Sequence, residues 1–192
     1  MKKFILVLAV SLMSSGCVTV SIPPKYTSSP EIQASLSKYK QASVSIGKGT
    51  PSAPWWVCHD TQSVAFRKDP RVQDFTFTNY LNIALEDELK QSGIYDPNSP
   101  VELNISILKS AVAYERKSYS SWIFSVEFAS SNGNKLVVTE YYKIRNMGQP
   151  SEICPQLSNA LVPVTQNIVK KAVQDQRFKS LISPTLKQVS CK

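Results

Sequence analysis

The sequence predicts an α+β domain in which an antiparallel sheet, a three-strand meander plus one or two early strands, carries two helices packed on one face. Three observations lead there. Two segments repeat apolar residues at helical spacing, three runs between them alternate apolar with polar residues, and an Asn-Gly pair joins the last two of those runs.

In chain order, QASVSIG (41–47) alternates through Val44 and Ile46, which predicts a first strand, and Gly47, Gly49, Pro51 and Pro54 then interrupt regular structure. Val64 and Phe66, at period two within Thr61–Lys68, suggest a second early strand. A helix is expected over 75–92, because Phe77, Leu81, Ala84, Leu85 and Leu89 fall on one stripe. Gly93 stands where a left-handed helix stop is wanted, with Ile94 placed for the accompanying apolar contact. Val101, Leu103, Ile105 and Ile107 alternate with polar residues, and the pattern resumes at Val112 and Tyr114, so a bulge is expected near Leu108–Ala111. Trp122, Phe124, Val126 and Phe128 form the next strand. Asn132-Gly133 then predicts a two-residue hairpin turn. That register pairs Phe128 with Val137, Val126 with Thr139, Phe124 with Tyr141 and Trp122 with Lys143, and it leaves Ser125, Glu127 and Glu140 on a wetter face. A last helix is expected over 156–175 with Leu157, Leu161, Val164, Ile168 and Ala172 as its stripe, kinked or broken at Pro163.

The N-terminus, MKKFILVLAVSLMSSGC, bears on location. Lys2 and Lys3 precede an apolar run, Phe4 to Met13, of secretory length and too short to span a bilayer. Ser14, Ser15, Gly16 and Cys17 then resemble the lipobox of bacterial lipoproteins, with Ser14 where that motif most often has leucine. The resemblance implies a signal peptide over 1–16 and a lipid-modified Cys17 heading the mature chain; the plainer alternative is a cleaved signal with a buried Cys17. Because Val18, not aspartate, follows, it also implies the periplasmic side of the outer membrane. The Ser-, Thr- and Pro-rich stretch after Cys17 reads as a flexible tether, so the expected layout is lipidated Cys17 and tether over 17–38, one periplasmic domain over 39–180 and a tail over 181–192.

A hydrophobic content of 42% suits one globular core. The formal charge is +8, of which two units leave with Lys2 and Lys3. A surplus of that sign favours anionic lipid or lipopolysaccharide, whereas nucleic acid is not expected in the periplasm. The plainer reading of Lys170, Lys171, Arg177, Lys179, Lys187 and Lys192 is a solvated helix face and tail.

VELNISILKS, ASSNGNKL and the helix between Phe77 and Gly93, set behind the lipobox-like cysteine, resemble YajG-type outer-membrane lipoproteins. The layout is also similar to that of the lipopolysaccharide-assembly and transport-auxiliary lipoproteins. Those families imply scaffold or assembly roles and bring no catalytic residues with them.

APWWVCHD (53–60) stands outside that resemblance. It joins Trp55, Trp56 and Cys58 to His59, the one histidine of the chain. A zinc site needs several Cys, His or carboxylate ligands converging on one point, and an oxidising compartment draws thiols into disulfides instead, so no metal is expected. A thiol enzyme using Cys58 and His59 would need the two side chains to converge, which neighbours on an extended chain do not do. A structural disulfide is the favoured use of Cys58, with Cys154 as partner and Cys191 as the alternative; three cysteines leave one thiol over. Trp55 and Trp56 are the candidate binding surface, with a core plug as the plain alternative. Tyr114, Tyr119, Trp122, Tyr141 and Tyr142 read first as core and cross-strand pairs. The expectation is therefore a non-catalytic interaction or assembly module with an envelope-protein partner and no cofactor. A lipid- or glycan-binding lipoprotein is the alternative, and a thiol enzyme comes third.

Overall fold

The computed structural model describes residues 24–48, 77–115, 119–145 and 150–184. The elements run α1 (Pro30–Leu36), β1 (Ser45–Ile46), α2 (Phe77–Ser92), β2 (Glu102–Glu115), β3 (Tyr119–Ser130), β4 (Lys135–Arg145), α3 (Pro150–Gln174) and α4 (Phe178–Leu181). The strands form one sheet in the order β1-β2-β3-β4. This is the expected α+β class, with the meander antiparallel throughout. The early strand differs in sense: β1 pairs parallel to β2, Ser45 opposite Glu102 and Ile46 opposite Leu103. A parallel neighbour needs a long crossover, and the chain between β1 and β2, which includes α2, supplies one.

α2 buries its whole expected stripe, Phe77, Leu81, Ala84, Leu85 and Leu89. It ends in a Schellman arrangement: Gly93 adopts φ +76°, its N–H donates to the Lys90 carbonyl at 3.1 Å, and the Ile94 N–H donates to the Leu89 carbonyl at 3.1 Å. The register of β2 against β3 shifts between Ile107 and Lys109, so Leu108 is the bulged residue and its side chain is exposed. Leu103, Ile105, Trp122, Phe124, Val126 and Phe128 face the helices. Phe77 packs on Phe124 at a ring distance of 4.6 Å, and Trp122 on Phe124 at 4.7 Å.

The hairpin corrects the expected pairing. Phe128 lies opposite Leu136, Val126 opposite Val138, Phe124 opposite Glu140 and Trp122 opposite Tyr142. The loop has three residues, Ser131 to Gly133: the Gly133 N–H donates to the Ser130 carbonyl and the Ser130 N–H to the Asn134 carbonyl, each at 2.9 Å. Gly133 takes the left-handed position, φ +91°, that closes such a loop. One extra loop residue turns every β4 side chain to the other face. Leu136, Val138, Glu140 and Ile144 are therefore buried, while Val137, Thr139 and Tyr141 face out.

Two domain boundaries also move. Residues 24–38, expected as tether, are packed: Tyr26, Ile32 and Leu36 belong to the core. At the other end Leu181 and Ile182, expected in the tail, are buried as well. α3 starts at Pro150 rather than near 156 and runs through Pro163. The carbonyl that loses its donor there belongs to Asn159, an exposed residue open to water. Leu161, Val164, Ile168 and Ala172 are buried as their spacing predicts.

Candidate functional site

The residues singled out from the sequence divide sharply. Cys17, Trp55, Trp56, Cys58, His59 and Cys191 lie outside the described residues, as does the suggested strand over Thr61–Lys68. Cys154 lies early in α3. Of the aromatic group, Trp122 is core, Tyr142 is half-buried against it, and Tyr141 stands 64% exposed on the outer face of the sheet. Tyr114 and Tyr119 lie on β2 and β3.

What the fold brings together is a set of polar joints that sequence spacing did not reveal. The first ties the N-terminal arm to α2. Glu88 is fully buried, and its carboxylate accepts the Tyr26 hydroxyl at 2.6 Å, the Ser29 N–H at 2.8 Å and the Gln33 side-chain amide. Burial, reinforced by the Glu88 carboxylate, raises the Tyr26 phenol above its ordinary range; burial alone pushes Tyr80 up to about 12. The Tyr80 hydroxyl donates to the Pro24 carbonyl at 2.9 Å and pins the start of the arm. The local signal was Ser29-Pro30-Glu31, a helix-start pattern with proline in the first turn, and it is followed by Ile32 and Leu36 one turn apart.

The second joint lies between β4 and α3. Glu140 is 4% exposed and accepts the Asn167 amide at 2.8 Å, while the Lys171 ammonium sits 2.6 Å from its other oxygen. Lys171 also donates to the Thr139 carbonyl at 3.0 Å. An open groove of about 390 Å³ runs beside this pair, lined by Val137, Val138, Thr139, Lys171, Gln174 and Asp175. Much of the basic C-terminal face is locally neutralised, since Lys170 pairs with Glu31 at 2.5 Å and Arg177 with Asp175 at 2.7 Å. The Arg177 hydrogen bonds hold the Asp175 carboxyl down to about 2.

The third feature is the outer edge of β4, which no other strand among the described residues covers. Lys135, Val137, Thr139, Tyr141, Lys143 and Arg145 are all exposed, and their backbone polar groups point away from β3. The alternation follows from the hydrogen-bonded pair Ser130–Asn134, which puts the even-numbered β4 residues in the ladder; the outward Thr139 carbonyl taken by Lys171 agrees with it. Lys135 pairs with Glu127 at 3.1 Å, but Lys143 and Arg145 have no carboxylate partner among the described residues.

Chemically, these features bind and hold. Among the described residues no three His, Cys, Asp or Glu side chains gather into a metal-holding group, and no helix is long and apolar enough to cross a membrane.

No protein-family model matches this sequence, and no curated protein matches it. Among solved structures, the chain is similar to the crystal structure of a Xanthomonas campestris protein of the DUF330 family, with a TM-score of 0.49 and 13% identity, over 84% of this chain and 99% of that one.

Proposed function

We propose that this chain is a lipid-anchored lipoprotein on the periplasmic side of the outer membrane, of YajG type, whose domain serves as a non-catalytic interaction module of an envelope complex. The observation that carries the reading is Cys17 in its setting, a basic start, a short apolar run and small residues directly before the cysteine. An acylated Cys17 with two or more chains would hold the protein stably on a bilayer.

The packed arm gives this anchor a geometric consequence. The body is already engaged at Pro24, seven residues beyond Cys17. Seven residues span at most about 25 Å, so the anchor would keep the α1–α2 end of the domain close to the headgroups. A tether reaching to residue 38 would have allowed the domain to roam about three times as far. A module held that close to one membrane suits a partner that is embedded in it or docked on it.

The test has two parts. Mass spectrometry of the N-terminal peptide, with membrane fractionation, is expected to show cleavage before Cys17, an acylated thioether and outer-membrane partition, all lost in Cys17→Ser. A Cys17 thiol open to maleimide in the native protein would sink the anchor. In-cell cross-linking followed by mass spectrometry is then expected to capture one dominant envelope protein, with capture reduced by Trp55→Ala/Trp56→Ala. Capture of a lipid or glycan alone would favour a binding protein instead.

A further inference from the structure

We propose that the outer edge of β4 is a docking strand, and that its partner is an extended acidic segment of another polypeptide, added to the sheet as a fifth strand. This deepens the interaction-module reading and rests on it, though it needs neither the lipid on Cys17 nor Trp55 and Trp56.

β4 is long for an edge, eleven residues, and among the described residues it ends the sheet. Val137, Thr139, Tyr141 and Lys143 turn their N–H and C=O groups outward, and among the described residues only the Thr139 carbonyl has a partner, the Lys171 ammonium. Such an edge is a template for another chain unless something covers it or repels newcomers. Here the side chains decide who is repelled. Pairing β4 with β4 of a second copy, antiparallel and centred on Thr139, would set Lys135 opposite Lys143 in both halves, a like-charge cross-strand contact. A strand with carboxylates opposite Lys143 and Arg145 meets the reverse situation, since those cations have no acidic neighbour among the described residues. Val137 (43% exposed) and Tyr141 (64% exposed) stand ready for apolar residues at the alternate positions. Lys171 acts as a latch on this edge. Displaced from the Thr139 carbonyl, it keeps Glu140 and can swing toward an incoming carboxylate across the groove. Backbone pairing would supply affinity and the alternating charges selectivity, as in other strand-addition complexes.

The experiment uses the purified full chain and a short peptide with glutamates alternating at one end and valines at the other. Two controls accompany it: the same peptide with lysines for glutamates, and an acidic peptide N-methylated at the amides that would donate to β4. Binding is read by fluorescence anisotropy and hydrogen exchange at single amides. The acidic peptide is expected to bind at least tenfold tighter than either control, and to slow exchange at Val137, Thr139, Tyr141 and Lys143 while leaving Leu136 and Val138, already in the ladder, unchanged. Lys143→Glu/Arg145→Glu, a surface change that spares the core, is expected to weaken it tenfold or more.

Equal binding of the lysine or N-methylated peptide, or binding without that alternating protection, overturns the proposal. So does slow exchange at the same four amides in a self-associated, peptide-free sample, which would assign the edge to a second copy. A partner cross-linked in cells through Trp55 and Trp56, with the edge amides unprotected in that complex, would leave the module reading standing and remove this one.

Discussion

Glu88 offers the sharpest test of how the domain is held together, because one carboxylate organises the whole N-terminal arm. Glu88→Ala strands three donors. The buried Tyr26 hydroxyl loses its 2.6 Å acceptor in a dry site, at a cost of about 2 kcal/mol. The half-buried Ser29 N–H loses its 2.8 Å acceptor at about 1 kcal/mol, since water reaches it in part. Gln33 loses least, because its amide also donates to the Glu88 carbonyl at 3.1 Å. Removing the one buried methylene, Cγ, adds about 0.8 kcal/mol, so the expected total is about 4 kcal/mol. Glu88→Gln keeps the volume and one acceptor oxygen but sets an amide against donors, and about half that loss is expected. Urea unfolding followed by far-ultraviolet circular dichroism measures both. The decisive comparison is a double-mutant cycle with Tyr26→Phe, expected to cost about 1 to 2 kcal/mol in the native background and close to nothing beside Glu88→Ala, where it removes an orphaned hydroxyl. If Tyr26→Phe costs the same in both backgrounds, the hydrogen bond does not hold the arm and the reasoning fails. Limited proteolysis of Glu88→Ala should cut the arm between Lys25 and Leu36 before the rest of the body. In an anchored protein the freed arm would lengthen the tether.

Three other perturbations follow from the geometry. Gly133→Ala places a Cβ at φ +91° with nothing crowding it, so the strain alone should cost about 1–2 kcal/mol in unfolding free energy. Phe124→Ala, which empties the space between Phe77 and Trp122, is expected to cost about 3–5 kcal/mol and to shift the tryptophan fluorescence; a loss under about 1 kcal/mol would mean the aromatic cluster collapses freely. Stability should fall as pH rises above about 10, because phenols of the unfolded chain then release protons that Tyr26 and Tyr80 still hold in the fold, Tyr80 up to about 12. Tyr80→Phe should flatten that decline, and an unchanged slope between pH 9 and 11 would refute the assignment.

Local spacing carried a large part of this architecture. The stripe from Phe77 to Leu89, the stop at Gly93 and Ile94, and the phase break that exposes Leu108 can each be read within a few residues, because a helix, its cap and a bulge are made by neighbours in sequence. The candidate site was far less legible. Asn132-Gly133 announces a hairpin, yet whether its loop holds two or three residues depends on contacts a long way off. The Asn132 amide reaches the carbonyls of Ser180, Leu181 and Ser183, and it thereby caps the end of α4 while its Oδ1 accepts the Asn134 N–H. That choice sends Glu140 into the core and Tyr141 to solvent, and so creates both the Lys171 joint and the outward edge. The arm is a similar case: α1 has seven residues and two buried aliphatic side chains, too little to stand alone as a helix, and it persists because Glu88, sixty-two residues from Tyr26, supplies its acceptors. The sequence by itself thus determined α2 with its stop at Gly93, the three strands of the meander and the bulge at Leu108, all of which depend on short-range pattern. Only the tertiary structure decided where the packed body begins, that β1 runs parallel, and which face of β4 meets water, because each rests on hydrogen bonds between segments far apart in the chain.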